Sequence, residues 1–360
     1  MIKNDIERLT KNEFSNKITV ISFLLSYLIV QLHAYNVTVY DLGNGLLDKL
    51  VIQIEESICY ITRIGVPMFF IISGYLFFQN YTLNKTLQKW KSRVKTIVVP
   101  WILWGSLYYI YFILIKYLTK GALLDNKSIS IESYCRTVFA HEDTIFWYLQ
   151  TTIFFIALAP VLYGVLKNYK NKYTGLLVLL VVLLLCTLGI VPSEITFFGE
   201  EWKNYFPSKL FNVCYFMMGA YIGINHKEVV FIKNRKLTTL GMWGLLICFI
   251  LVHIAGEEYM NGFLLSAFCI SLWYAMDFFS FDIKVPWFIS ISFFVYCAHV
   301  AFLNVIEKII LVIGGRESAV WALIDFVIAP VLAMLCVLLA AYIIRRFIPR
   351  LWSILNGGRG

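Results

Sequence analysis

Four side chains able to do acid–base or electrostatic work, His33, Arg63, His299 and Asp325, sit inside apolar stretches of the chain. Ionisable groups are costly to hold in hydrocarbon, so each is a functional-site candidate by default. An imidazole, with an unperturbed pKa of about 6.5, can take a proton from a hydroxyl near neutral pH. A guanidinium can stabilise an oxyanion, and a carboxylate can hold a histidine in one tautomer. Helical rise of about 1.5 Å per residue puts the four at similar depth in a core about 30 Å thick. His33 lies 15 residues beyond Ile18, about 22 Å up an outward-running helix. Arg63 comes soon after the start of the next, inward-running stretch. His299 is about 18 Å up from Trp287, and Asp325 lies six residues below the outer end of the last stretch. A shared polar layer in the outer half is the expectation. Bland readings stay open: a histidine bonded to a neighbouring helix, Arg63 snorkelling to headgroups, Asp325 only neutralising Arg63. His253, near the outer end of its stretch, reads as interfacial.

The elements that position these residues are apolar helices. Of 360 residues, 60% are hydrophobic and 15% are charged, and the mean hydropathy is +0.74. A soluble domain carries closer to a quarter charged residues. Apolar runs recur at 18–35, 58–79, 96–117, 145–166, 173–191, 208–224, 237–254, 260–279, 287–312 and 319–344. The expectation is an all-α polytopic membrane protein of about ten transmembrane helices. The first run reads as a span, not a cleaved signal, because a polar 17-residue lead precedes it and no small-residue cleavage site follows. The parts are a segment 1–17, a membrane domain 18–345 and a basic tail 346–360. No long loop, low-complexity segment or internal repeat interrupts them, although 130–139 can form a short interfacial helix. Eight cysteines, mostly in apolar runs, show neither metal spacing nor a disulfide framework and read as small buried hydrophobes.

The net charge of +9 sits in short loops without interleaved aromatics, which fits topology and anionic lipid and excludes nucleic acid as a partner. With the N-terminus inside, the inner segments hold 21 of the 31 Lys and Arg residues. Acidic residues do the reverse, as in Glu55-Glu56, Glu142-Asp143, Glu200-Glu201 and Glu257-Glu258. Both termini are therefore expected in the cytoplasm. Trp202 and Lys3, Lys170, Lys172 and Arg359 belong to the same outside and inside segments.

Several strings are more specific. The second run reads TRIGVPMFFIISGYLFF, in which Pro67 predicts a kink and Ser73-Gly74 a close approach by a helix or ligand. VPMFFIISGYLF closely resembles the signature of the integral-membrane acyltransferase-3 family, which includes bacterial sugar O-acetyltransferases. The helix ending at His33, Arg93-Val-Lys-Thr-Ile-Val-Val-Pro-Trp101, Phe146-Trp-Tyr-Leu149 with Pro160, Tyr215-Phe-Met-Met-Gly-Ala-Tyr-Ile-Gly223 and Ser292-Phe-Phe-Val-Tyr-Cys-Ala-His299 resemble further family motifs in the family's order. Two positions depart from it. Ser22 stands where many members carry arginine, with Lys17 the only nearby basic residue, and Ile145 stands where many carry histidine, with His141 upstream.

The resemblance implies an enzyme of the bacterial plasma membrane, transferring an acyl group, usually acetyl, from acyl-coenzyme A to a hydroxyl of a lipid-linked or surface sugar. It implies no tightly bound cofactor and no metal. His33 fits the base or a transient acyl carrier, Arg63 the oxyanion or acceptor-positioning role, His299 a proton relay, and Asp325 a tautomer anchor. Lys89, Lys91, Arg93 and Lys95 form the natural dock for coenzyme A phosphates, unless they only enforce topology. Ser73, Trp147, Tyr148 and Tyr296 are expected on the acceptor side. Other polysaccharide-assembly proteins are possible partners. The competing classes are a polysaccharide or lipid transporter or flippase, marked by matching broken helices in two halves, and a non-catalytic assembly subunit.

Overall fold

The structure, a computed structural model, describes residues 6–120, 129–141, 144–168, 171, 173–194, 205–255 and 262–358. Glu142, Asp143, Glu200, Glu201, Glu257, Glu258, Trp202, Lys3, Lys170, Lys172 and Arg359 lie outside the described residues.

In chain order the helices are α1 (Lys11–His33), α2 (Leu46–Thr62), α3 (Gly65–Phe78), α4 (Thr86–Arg93), α5 (Val99–Lys120) and α6 (Ile131–Phe139). There follow α7 (Trp147–Ala157), α8 (Ala159–Leu166), α9 (Thr174–Thr187), α10 (Val213–Asn225) and α11 (Arg235–Ala255). The last are α12 (Phe263–Ala275), α13 (Ser292–Gly314), α14 (Ala319–Phe347) and α15 (Pro349–Leu355). Strand β1 (Ile6–Arg8) pairs antiparallel with β2 (Ile232–Asn234), bringing the N-terminal lead to the basic loop between α10 and α11. Among the described residues, six helices are long and apolar enough to cross a membrane; α7 and α8 together would make a seventh. Three shorter apolar helices span Thr174–Thr187, Leu210–Asn225 and Phe263–Phe278. Each of the ten predicted apolar runs thus contains a helix.

α1 is the central element and packs against α2, α3, α13 and α14. It starts seven residues before its apolar run because Thr10 and Glu13 form a capping box, Thr10 Oγ1 accepting from the Glu13 amide at 3.2 Å and Glu13 Oε2 accepting from the Thr10 amide at 2.8 Å. Its buried stripe of Phe14, Lys17, Ile21, Leu25 and Ile29 repeats every three or four residues, as a packed helix face requires.

The prolines explain most of the irregularity. The kink predicted at Pro67 lies instead at Arg63-Ile64, between α2 and α3. Pro67 falls in the first turn of α3, where a missing amide hydrogen breaks no bond. At the break, the Thr62 hydroxyl and the Arg63 amide both donate to the Cys59 carbonyl, and such side-chain competition ends a regular helix. Helices α7 and α8 meet at an angle of 62° at Leu158. Pro160 leaves the Ile156 carbonyl without its helical donor, and the Trp90 indole supplies one at 2.9 Å. In α14, Pro330 likewise frees the Phe326 carbonyl, which accepts from Gln31 Nε2 of α1 at 2.8 Å. Orphaned backbone groups are expensive in an apolar interior. These two side-chain donors therefore do more than fill space: they tie α4 to α7 and α1 to α14.

Helices α3 and α10 pack backbone to backbone. A Cβ on Gly74 would collide with the Phe216 carbonyl, and one on Gly219 with that of Ile71. The small residues of both motifs are thereby accounted for: the close approach predicted at Ser73-Gly74 is a helix at Gly74 and, as shown next, a cavity at Ser73. A five-residue π-helical stretch, Val94–Val98, joins α4 to α5 just before Pro100. Such widened turns recur near functional sites, and Ile97 of this one lines the main cavity.

Candidate active site

A cavity of about 260 Å³ runs beside α1. At one end it is lined by Thr19, Ser22, Ser290 and Ser292, and at the other by His33, Trp147, Tyr148 and Tyr296. Ser22 and His33 are eleven residues apart on one helix, so the cavity extends about 16 Å along it. Apart from Ser73 and Thr152 its remaining wall is apolar, with Ile29, Val66, Phe69 and Ile72 among the lining residues.

The helices deliver the site residues from four directions. His33 is the last residue of α1 and keeps accessible surface. Tyr296 and His299 stand one turn apart on α13. The first turn of α7 supplies Trp147 and Tyr148, and α3 supplies Ser73. Ser73 Oγ and the Tyr148 hydroxyl share a hydrogen bond of 3.1 Å. The Tyr148 and Tyr296 rings lie 5.7 Å apart, and the Tyr296 hydroxyl donates to the Ile145 carbonyl at 2.5 Å. Five of the sequence-predicted residues, His33, Ser73, Trp147, Tyr148 and Tyr296, therefore share one cavity.

His299 is fully buried directly behind His33, with ring centroids 5.3 Å apart. Its Nδ1 lies 3.0 Å from the carbonyl oxygens of Val295 and of Tyr296. Carbonyls only accept, so Nδ1 carries the proton and the neutral ring presents a lone pair at Nε2. Among the described residues, that nitrogen has no hydrogen-bond partner. The tautomer is set by two backbone carbonyls, which corrects the expectation that Asp325 holds it.

Asp325 belongs to a different cluster. It is buried on α14 and accepts from the Tyr40 hydroxyl at 3.2 Å. Beside it, Asn36 donates to the Ala322 carbonyl at 3.1 Å, and the buried Glu55 accepts from the Asn36 amide. Arg63 stands at the α2–α3 break with its guanidinium 5.9 Å from the Tyr60 ring. Neither residue lines the cavity, and the two form no ion pair with each other. The single layer predicted from depth thus divides: equal height along four helices does not place side chains on facing sides.

The basic quartet also divides. Lys89 Nζ donates to the Phe77 carbonyl at 2.7 Å, and Lys89 and Arg93 flank the Phe77 ring at 5.4 and 5.7 Å. Arg93 lines a groove with Trp90, Val98 and Ile153. Lys91 and Lys95 face outward and are exposed.

Three features were not legible beforehand. Ser22 lines the cavity, so the position that departs from the resemblance belongs to the site wall. Lys17 does not replace an arginine there, because its ammonium is bound to Asp277 at 2.6 Å and lies 4.0 Å from the Trp273 ring. Lys209 stands with its ammonium 4.3 Å from the Trp147 ring at the His33 end. The other departure, Ile145, lines the cavity too, whereas His141 sits in the α6–α7 connection, where burial pushes its pKa down to about 4.

An acyltransferase-domain family matches residues 18–346. The succinoglycan biosynthesis protein ExoH of Rhizobium meliloti (strain 1021) is 30% identical over 169 residues, 44% of each chain. A probable poly-beta-1,6-N-acetyl-D-glucosamine export protein of Staphylococcus aureus (strain MSSA476) is 26% identical over 203 residues, covering 55% of this chain and 54% of that one. The chain spans about half the length of the curated relatives it matches. No solved structure matches it. With the family match covering nearly the whole helical region, the chain belongs to the integral-membrane acyltransferase-3 family.

Proposed function

We propose that this protein is a bacterial plasma-membrane acyltransferase that moves an acyl group, acetyl being the expected one, from cytoplasmic acyl-coenzyme A to a hydroxyl of a lipid-linked or surface sugar. The observation that carries this reading is the cavity beside α1, hydroxyl-lined at one end and ending at His33 with His299 behind it. In the reaction, His33 takes the proton of the acceptor hydroxyl. The oxygen forms its bond to the thioester carbonyl carbon, and the resulting oxyanion is stabilised by donors from the Ser73–Tyr148 pair. The carbon–sulfur bond breaks, and the leaving thiolate takes the proton from His33. In the reaction the other nitrogen of His33 turns to donate to the Nε2 lone pair of His299, which is unpartnered among the described residues of the structure, and the reacting nitrogen is left unprotonated. A transient acyl group on His33 would give the same products in two steps.

Donor and acceptor enter from opposite ends. Arg93 and Lys89, folded against Phe77, together with the exposed Lys91 and Lys95, supply positive charge for coenzyme A phosphates. Trp147, Tyr148 and Tyr296 offer aromatic faces to the sugar. Asp325 and Tyr40 secure the outer end of α1 against α14. Both termini lie in the cytoplasm in this reading. The relatives' printed names, one in succinoglycan biosynthesis and one in glucosamine-polymer export, support a polysaccharide as the acceptor.

One observation favours export as the second reading: the α7–α8 pair is broken by 62° beside the cavity, as helices at transport sites are. A deletion strain separates the two. Complemented with the wild type, its surface polymer should carry ester-linked acyl groups by mass spectrometry. With His33→Ala the polymer should remain and its acylation fall at least about 100-fold, while the amount of chain in the membrane is unchanged. Retained acylation overturns the role of His33, and loss of the polymer itself from the surface favours export.

A further inference from the structure

The polar cluster around Asp325 holds two carboxylates where an ionised group is costly. Glu55 on α2 and Asp325 on α14 are 0% and 2% exposed, and among the described residues neither has an ion-pair partner. The third buried carboxylate among the described residues, Asp277, is matched by Lys17 at 2.6 Å. Burying ionised groups is unfavourable unless charge of the opposite sign meets them. Glu55 and Asp325 have no such charge from the described residues.

The turn that follows α1 draws the cluster together. The Asn36 carbonyl accepts from the amides of Val39 (2.7 Å) and Tyr40 (3.3 Å), which folds Tyr40 back over it, and the Asp41 amide donates to the Arg316 carbonyl at 3.0 Å. From this turn the Tyr40 hydroxyl reaches Asp325 Oδ2 at 3.2 Å, and the Asn36 amide reaches Glu55 Oε2 at 3.4 Å. Asn36 Nδ2 donates to the carbonyl of Ala322, one turn before Asp325, at 3.1 Å. A carbonyl only accepts, so that bond settles which end of the Asn36 side chain is the oxygen. With these bonds made, three oxygens from three segments of the chain have no donor among the described residues: Asn36 Oδ1, Glu55 Oε1 and Asp325 Oδ1. Asn36 is itself 3% exposed, so its oxygen is turned into the cluster and away from solvent.

We infer that Asn36, Glu55 and Asp325 form a binding site for a hard divalent cation, calcium or magnesium, which clamps the turn after His33 to α2 and α14. The donors are all oxygen, which selects these ions over zinc or copper. Two carboxylates neutralise a divalent ion. The second oxygens of both carboxylates and the Tyr40 hydroxyl bring the oxygens of the cluster to six, the lower end of the range for calcium. Calcium accepts irregular oxygen cages and sheds water more readily than magnesium, so it is the expected ion. The three ligands do not line the cavity beside α1, and the inference stands apart from the acyl-transfer reading.

The test uses the full chain, purified in an uncharged detergent and stripped of metal with a chelator. Binding is read by equilibrium dialysis with radioactive calcium, and stability by thermal unfolding. The wild type should bind a single calcium per chain saturably. At about a hundredfold excess over the dissociation constant it should melt about 5 °C higher than without the ion. Magnesium is run in parallel, and the ion giving the larger shift is the one the site prefers. Asp325→Asn and Glu55→Gln should each weaken binding at least about tenfold, because each removes a ligand charge. Asn36→Asp, which keeps the oxygen and adds charge, should retain binding, and it carries the comparison if either of the others fails to fold. A wild type that melts at the same temperature with calcium, magnesium and sodium at equal ionic strength overturns the inference, and protons then account for the two carboxyl groups. Calcium binding that survives in Glu55→Gln combined with Asp325→Asn also overturns it, by putting the ion elsewhere.

Discussion

Helix α1 carries a titratable side chain near each end, and the two ends are built on opposite principles. Near its start, Lys17 is enclosed: its ammonium is 2.6 Å from Asp277 Oδ1, the side chains are 0% and 1% exposed, and the Trp273 ring covers it at 4.0 Å. At its end, His33 is open to a cavity, and its neighbour His299 keeps a buried lone pair with no hydrogen-bond partner among the described residues. Both pairs sit in surroundings that penalise charge. The Lys17–Asp277 pair answers the penalty with a partner and is finished. The His33–His299 pair leaves a buried hydrogen-bonding lone pair unfilled directly behind the cavity. The difference separates a polar group whose hydrogen-bonding capacity is spent on the fold from one whose capacity is left available beside a cavity.

Removing one member of the Lys17–Asp277 pair should produce the largest effect on stability. Lys17→Met leaves the Asp277 carboxylate buried without its cation, a change that costs about 3–5 kcal/mol. In a thermal-unfolding assay in detergent, Lys17→Met should lower the melting temperature sharply, and Lys17→Met with Asp277→Leu should recover most of the loss. Acyl transfer per folded molecule should be close to normal in both. A large activity defect in the stable double variant would erase the distinction between the two ends.

The His33–His299 pair should respond the other way. His299→Phe keeps a ring of similar size but removes the Nε2 lone pair, so turnover should fall about 10- to 100-fold, as when the group orienting a reactive histidine is lost. The melting temperature should stay within a few degrees. Unchanged turnover would reduce His299 to packing, and a collapse in stability with normal turnover would make it a structural residue like Lys17.

These contrasts also mark what could be read from the chain alone. The pairing of His33 with His299 was legible because helical rise converts residue number into depth, and both residues project from α1 and α13, which pack together. The same arithmetic misplaced Asp325, because depth carries no azimuth: α14 turns that side chain toward Tyr40 rather than toward the cavity. Pro67 suggested a kink that Thr62 and Arg63 make instead, since a proline in the first turn of a helix disturbs nothing. The bond between Lys17 and Asp277 joins residues 260 apart, and no local pattern announces it. Lys209 was hidden for a similar reason. It stands at the start of an apolar run, where a lysine ordinarily marks only topology, and its place at the His33 end follows from a tryptophan on another helix.

The most direct measurement asks whether the thioester end of the donor reaches His33. Bromoacetyl-coenzyme A places an alkylating carbon where the methyl group of acetyl-coenzyme A would lie, one bond from the thioester carbonyl. Native membranes holding the full chain would be treated with it and the peptides mapped by mass spectrometry. The expected result is an adduct on His33 that excess acetyl-coenzyme A prevents and that disappears in His33→Phe. Adducts confined to Lys91 and Lys95, or an adduct on His33 that acetyl-coenzyme A does not prevent, would contradict a donor path along α1.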